Sequence, residues 1–127
     1  MVAGLLLSAR WVLRRVRRYR WSGRNAVVTG GSRGLGLEVV RLLVARGARV
    51  AVVAREAAEI DRALDDVRRR NLPGLALGFP CELTADGAVE GMLDRVRRDL
   101  AGIDVLIINA GAIQVGPLDA TELHRLR

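Results

Sequence analysis

The sequence contains no lysine, and it is poor in cysteine and in aromatic residues. All 21 basic residues are arginine, so no reaction step that needs a lysine amine can be carried out by this chain. The single cysteine, Cys81, excludes an internal disulfide and fits a reducing compartment such as the cytoplasm. We interpret Cys81 as a small buried residue at the end of a strand. Because aromatic residues make up only 3% of the chain, its core must be built from Val, Leu, Ile and Ala. Such a core is typical of a sheet covered by helices on both faces.

The net charge of +7 is concentrated at one end of the chain. Residues 1–24 hold seven arginines and no acidic residue, whereas the fourteen later arginines balance fourteen Asp and Glu residues. The body of the chain therefore gives no electrostatic reason to expect nucleic acid as a partner. With 127 residues, the chain is long enough for one domain with its own core.

The first 21 residues form a basic arm with an amphipathic pattern. Its apolar residues recur at helical spacing: Val2, Leu5, Leu6, Ala9, Val12, Leu13 and Val16. The uninterrupted apolar stretch ends at Arg10, far short of the ~20 residues that a spanning helix needs. Three interpretations remain open. The arm is a helix lying on an anionic membrane surface, with Trp11, Tyr19 and Trp21 near the headgroups. Alternatively, it is an organelle transit peptide, or a solvated extension without a partner. The first is the functional interpretation that we favour.

The body, residues 22–127, alternates short apolar runs with longer segments of helical periodicity. The pattern predicts strands over residues 25–29, 49–54, 75–79 and 103–109. It predicts helices over residues 34–46, 56–71 and 85–100, the last capped by Thr84, and a final helical start near 119–127. Repeated β-α-β units indicate a parallel sheet of order 3-2-1-4 in a three-layer αβα arrangement, the Rossmann-type doubly wound α/β fold.

A glycine-rich stretch, TGGSRGLG at residues 29–36, joins the first predicted strand to the first predicted helix. Gly30 lets the chain turn out of the strand, Gly34 allows close approach of phosphates, and Gly36 lets the helix pack closely. The start of the following helix directs free N–H groups and its positive dipole end at this loop. The loop stands in the context that a dinucleotide-binding motif requires, so we predict a bound dinucleotide coenzyme.

The end of the second strand indicates which coenzyme is bound. An NAD site usually presents Asp or Glu to the ribose hydroxyls there, but this chain has Ala54 followed by Arg55. Arg55 can hold a 2′-phosphate with two parallel N–H bonds, and Arg33 in the loop can approach the same phosphate. These residues favour NADP over NAD. The missing carboxylate also argues against a methyltransferase that uses S-adenosylmethionine.

With these features the body resembles the classical short-chain dehydrogenase/reductase family, in its coenzyme-binding half. TGGSRGLG is similar to the TGxxxGxG pattern of that family, and Asn109-Ala110-Gly111 is similar to its NNAG, with Ile108 in place of the first Asn. Cys81-Glu82-Leu83-Thr84 resembles C-D-V-T, with Glu82 in place of the Asp that contacts adenine. The resemblance implies coenzyme binding by Gly30, Ser32, Arg33, Gly34, Leu35, Gly36, Arg55, Glu82, Leu83, Asn109, Ala110 and Gly111.

The resemblance also implies reversible hydride transfer between a nicotinamide coenzyme and a carbonyl or alcohol substrate of unknown identity. The family uses a tyrosine as general acid/base, a lysine four positions later, a serine and an asparagine. The only tyrosine here is Tyr19 in the arm, and no lysine is present to complete the pair. None of Ser8, Ser22 and Ser32 stands where the catalytic serine is expected, so no catalytic residue is carried over. No metal site is predicted either.

The fourth strand is expected to form an exposed aliphatic edge of the sheet. We therefore expect the sequence to be part of a longer or truncated gene product, inactive on its own. One alternative is a non-catalytic dinucleotide-binding or scaffold module that completes its sheet by pairing with a second copy. Another is an interaction protein whose basic arm is the functional part.

Overall fold

The computed structural model describes residues 19–111, and both the arm before residue 19 and the predicted terminal helix over 119–127 lie outside them. The strands are β1 (Asn25–Thr29), β2 (Arg49–Ala54), β3 (Leu75–Pro80) and β4 (Val105–Ile107). The helices are α1 (Gly34–Ala45), α2 (Ala57–Arg69) and α3 (Ala88–Leu100). No helix among these described residues is long and apolar enough to cross a membrane.

The four strands form one parallel sheet in the order β3-β2-β1-β4, which confirms the predicted topology. Each face of the sheet has its own aliphatic core. Val28, Val50 and Val52 point to the face that α1 and α2 cover, whereas Val27 and Val53 point to the face that α3 covers. This alternation follows from the two-residue period of strands, and it explains why β1 and β2 are apolar at nearly every position.

The sequence patterns predict most element bounds to within two residues, but the start of α3 is wrong. The helix begins at Ala88 after Gly87, which adopts a left-handed φ of 71°, and Thr84 does not cap it. The Thr84 hydroxyl instead donates a hydrogen bond to Glu82 Oε1 at 2.9 Å. Side chains of this type compete with helix formation by bonding locally, so the chain makes a turn before the helix begins.

The last strand is also shorter than predicted, because β4 covers three residues and not the full segment 103–109. Beyond Ile107 the chain leaves the ladder, and the N–H groups of Asn109 and Ala110 donate to the Thr29 hydroxyl. Within residues 19–111, β4 is an outer strand of the sheet as predicted, and Leu106 in it and Ile108 after it are 52% and 78% exposed.

Two residues assigned to the arm lie against the body. Trp21 packs on the core formed with α1 and α2, and the ring of Tyr19 meets that of Trp21 edge-on at a centroid distance of 4.7 Å. Trp21 is therefore partly covered by the body and does not belong to a free membrane-facing helix. The remainder of the proposed membrane helix lies outside the described residues.

Candidate coenzyme-binding site

The glycine loop lies where the carboxyl ends of β1, β2 and β4 meet. Its N–H groups at Gly30 and Gly31 both donate to the carbonyl of Val53 in β2, at 2.8 and 3.2 Å. Gly30 has a φ of 66°, a left-handed conformation that favours glycine, so the chain turns sharply out of β1 as predicted.

Gly36 and Gly34 must be glycine for different reasons, the first because of close packing and the second because of its backbone conformation. A Cβ on Gly36 would lie 2.0 Å from the Gly30 carbonyl oxygen, so only glycine lets the first turn of α1 pack on the loop. A Cβ on Gly34 would meet nothing within 4 Å, but the φ of Gly34 is 55°. Gly34 therefore keeps an open face in a conformation that other residues rarely adopt, which fits the predicted close approach of a ligand.

The start of α1 carries hydrogen-bond donors without acceptors. Its first bond runs from the Leu37 N–H to the Arg33 carbonyl, and within residues 19–111 the N–H groups of Gly34, Leu35 and Gly36 have no acceptor. The first turn holds no acidic residue, unlike those of α2 and α3, which contain Glu59 and Glu90. Free donors, the helix dipole and an open glycine face together suit the phosphates of a dinucleotide.

A polar link holds the end of β4 against the loop. The Thr29 hydroxyl accepts hydrogen bonds from the N–H groups of Asn109 and Ala110, at 3.0 and 3.1 Å. The Asn109 amide in turn donates to the Gly30 carbonyl at 3.3 Å. The structure thus brings the glycine loop and the Asn109-Ala110-Gly111 segment together, and Thr29 is a positioning residue that sequence reasoning did not single out. The sequence feature that could have indicated this role is the position of Thr29 as the first residue of the glycine motif.

The side chain of Arg55 lies between two carboxylates at the end of β2. It contacts Glu56 at 3.3 Å and Glu82 at 3.9 Å, and it remains 70% exposed. Hydrogen bonds from the hydroxyl and the backbone N–H of Thr84 lower the pKa of Glu82, and Arg55 adds a smaller effect. Glu82 is therefore a charged acceptor at neutral pH, and Leu83 beside it packs on the core covered by α3.

The loop residues Ser32 and Arg33 both contact one carboxylate, that of Glu59 in the first turn of α2. The Ser32 hydroxyl donates to Glu59 at 3.1 Å, and the Arg33 guanidinium lies 3.5 Å from it. Arg33 and Arg55 thus face different carboxylates and do not form a joint clamp in this structure. Sequence reasoning missed Glu59, because nothing in the local pattern of α2 shows that it reaches the loop.

Tyr19 and Cys81, the chain's only tyrosine and only cysteine, both lie away from the glycine loop in the sequence. Tyr19 precedes β1, at the amino end of the sheet, while the glycine loop lies at the carboxyl end. Cys81 is buried as predicted, and its thiol donates to the Ala88 carbonyl at 3.5 Å. No cluster of metal-binding side chains occurs among the residues that the structure describes.

Fold and loop together define a Rossmann-type α/β domain. The sequence profile described as short chain dehydrogenase matches residues 24–126, and the chain belongs to this family. One similar protein is dehydrogenase/reductase SDR family member 11 of Gallus gallus, 34% identical over 99 residues. That match covers 78% of this chain but 39% of the relative, so the chain spans well under half of the length of this relative.

Two solved structures show the same fold with different coenzymes. A metagenomic short-chain oxidoreductase in complex with NADP is 32% identical, with a TM-score of 0.72 over 82% of this chain and 47% of that one. An NAD+-bound xylitol dehydrogenase is 30% identical, with a TM-score of 0.68 over 74% of this chain and 35% of that one. The likeness establishes the family and the fold.

Proposed function

We propose that this chain binds NADP(H) as the coenzyme-binding half of a short-chain oxidoreductase that interconverts a carbonyl and an alcohol. The bound nicotinamide would supply or accept the hydride. This chain's part is to hold the coenzyme: the backbone of Gly34 to Gly36 for the pyrophosphate, Glu82 and Leu83 for adenine, and Asn109 to Gly111 for ribose. The sequence has no lysine, and its one tyrosine, Tyr19, precedes β1, so we expect this chain alone to bind the coenzyme without turnover.

One observation carries this proposal: the free N–H groups at the start of α1 open onto a face kept clear by glycine. Every α-helix begins with N–H groups that lack an intrahelical acceptor; α1 differs from α2 and α3 because Gly34 leaves its start open and no acidic residue lies in its first turn. Because Gly34 and Leu35 are exposed, their N–H groups are within reach of a ligand with several acceptor oxygens, which can replace water there. The pyrophosphate of a dinucleotide has that chemistry.

The choice of NADP is supported by charge at the adenosine end of the site. Ala54 offers no carboxylate to the ribose, and Arg55 and Arg33 are both mostly exposed, at 70% and 81% of their side-chain surface. Exposed guanidinium groups can exchange a surface carboxylate for a phosphate at little cost, because surface ion pairs contribute about 0–1 kcal/mol. The NADP complex of one similar structure supports the same choice, whereas the NAD+ complex of the other makes a direct test necessary.

Titration of the full chain with NADPH and NADH tests the proposal. We expect saturable binding of both, with NADPH the tighter, and Arg55→Asp should reduce the preference for NADPH about tenfold because it exchanges an attraction for a repulsion. The matched control is Arg68→Asp, an exposed arginine in the last turn of α2 that pairs with Asp65. Absence of saturable binding would refute coenzyme binding. Unchanged selectivity in Arg55→Asp would refute the role of Arg55 alone.

A second candidate function is a non-catalytic module that pairs with a second copy along β4. The observation in its favour is the apolar edge formed by Leu106 and Ile108, on which no other strand lies within residues 19–111. An edge of this kind is a template for strand pairing. The molar mass of the chain in solution tests it: a concentration-independent monomer would contradict pairing between copies.

A further inference from the structure

The groove between the start of α1 and the side of α2 contains charges of both signs. Its volume is about 330 Å³, and it is lined by Ser32, Arg33, Leu37, Glu59, Arg62 and Ala63. Two arginines make it attractive to an anion, while one carboxylate lies among them. The groove adjoins the glycine loop, on the side where α2 follows β2.

Within this groove Glu59 contacts both polar residues of the loop. Ser32 is 8% exposed and donates its hydroxyl hydrogen to Oε2 of Glu59, and Arg33 faces Oε1. The Glu59 side chain is only 25% exposed, compared with 61% for Glu56 and 46% for Glu82. Of these three carboxylates, Glu59 is therefore the least screened by water and salt, and its charge has the strongest effect on nearby ions.

A phosphate that binds Arg33 must share that guanidinium with Glu59, and the negative charge of Glu59 repels the phosphate. A ribose hydroxyl at the same place carries no charge, so the carboxylate does not repel it and can accept its hydrogen bond. The two coenzymes differ at this position by one phosphate. The negative charge of Glu59 therefore weakens the binding of NADPH, which carries the phosphate, and does not weaken the binding of NADH.

We propose that Glu59 is a selectivity residue that weakens the binding of the 2′-phosphate of NADPH relative to the 2′-hydroxyl of NADH. The proposal rests on the proposed function, because it concerns the same coenzyme site. Glu59 acts partly through Arg33, whose guanidinium it occupies, and partly through direct repulsion. The chain accordingly discriminates between the coenzymes less strongly than its arginines alone would allow.

The variant Glu59→Gln tests this proposal, because glutamine keeps an oxygen that accepts the Ser32 hydrogen bond but removes the charge. We expect Glu59→Gln to bind NADPH about three- to tenfold more tightly than the wild-type chain, with NADH unchanged within about twofold. The matched control is Glu38→Gln, which removes a carboxylate of α1 that pairs with Arg41 away from the groove. Glu38→Gln should leave the ratio of the two dissociation constants unchanged.

Ionic strength provides a readout that a purely structural role of Glu59 would not move. The gain in NADPH affinity caused by Glu59→Gln should shrink between about 50 mM and 500 mM salt, because screening weakens the repulsion. Thermal melting of each variant without coenzyme shows whether the fold is retained. Both readouts are independent of enzymatic turnover.

The possible results separate this proposal from the proposed function. If the wild-type chain binds neither coenzyme, both are overturned. If it binds them and Glu59→Gln leaves the NADPH-to-NADH ratio as in Glu38→Gln, only the role of Glu59 is overturned. Weaker NADPH binding in Glu59→Gln would also overturn it, since Glu59 would then serve to hold Arg33 ready for the phosphate.

Discussion

The two ends of β1 treat their polar groups in opposite ways. At the amino end, Asn25 donates its backbone N–H to Asp104 and its side-chain amide to the Leu100 carbonyl, both at 2.8 Å. Arg49 donates to the same carbonyl at 3.1 Å. At the carboxyl end, the first N–H groups of α1 are left without acceptors among the described residues. Apart from Oδ1 of Asn25, which is buried without a partner among residues 19–111, the amino end is closed by the chain's own groups, and the carboxyl end remains open for a ligand.

This difference shows how one strand can serve both stability and binding. Polar groups that are paired internally restrain the structure, whereas donors that face solvent remain available to a ligand. Substitutions at the amino end should therefore affect unfolding, and those at the carboxyl end should affect binding as well. We expect Gly36→Ala and Asn25→Ala to separate the two ends and Asp66→Asn to affect neither end; the expected effects decrease in that order.

The largest effect is expected at the carboxyl end, from Gly36→Ala. The new Cβ would lie 2.0 Å from the Gly30 carbonyl oxygen, so the loop and α1 must move apart. We expect a loss of about 3 kcal/mol in the free energy of unfolding and a loss of at least about tenfold in NADPH affinity. Denaturant unfolding and coenzyme titration measure the two quantities.

The matched control for Gly36→Ala is Gly91→Ala within α3, where a Cβ would meet nothing within 4 Å. That substitution should raise the free energy of unfolding by about 0.5–1 kcal/mol, because alanine favours the helix. Wild-type coenzyme affinity in Gly36→Ala would contradict our account of the loop.

A smaller effect is expected at the amino end, from Asn25→Ala. The substitution removes the hydrogen bond to the Leu100 carbonyl, but Arg49 still donates to that carbonyl. The loss is limited further because Oδ1 of Asn25 is buried and has no partner among the described residues. We expect the free energy of unfolding to fall by about 1–2 kcal/mol, with coenzyme affinity of the folded chain unchanged. A clear loss of affinity would show that the two ends are coupled.

The smallest effect is expected for the ion-pair cluster of Arg41, Asp66 and Arg70, which lies at neither end of β1. Hydrogen bonds from Arg41 of α1, and secondarily from Arg70, lower the pKa of Asp66 from 3.8 to about 2. Because the pKa is lowered in the folded state, the stabilisation is fully present above about pH 4 and is lost as the pH falls towards 2. The wild-type chain should therefore lose stability more steeply over this interval than Asp66→Asn.

Thermal melting between pH 5 and pH 2 measures this difference, and Asp61→Asn on an exposed position of the same helix serves as the control. Parallel curves for the wild type and Asp66→Asn would show that the cluster contributes nothing to the link between α1 and α2. Such a result would leave the contrast between the two ends of β1 intact.

Sequence reasoning succeeded wherever the signal was local. The strands β1 and β2 have the predicted bounds, because their unbroken apolar runs have no other stable arrangement in a domain of this size. It failed at Thr84, where a local hydrogen bond to Glu82 replaced the expected helix cap. It also assigned Trp21 to the arm, because no local signal shows that this residue packs on the core covered by α1 and α2.

The sequence by itself determined the parallel architecture, the glycine loop and the family, because strand period, helix period and the spacing of the glycines are properties of neighbouring residues. Only the tertiary structure decided which carboxylates face the arginines of the site. Glu59 lies 26 residues from Arg33 along the chain, and the two meet only because α2 packs beside the start of α1. The charge around a coenzyme phosphate depends on such long-range packing, which no local pattern encodes.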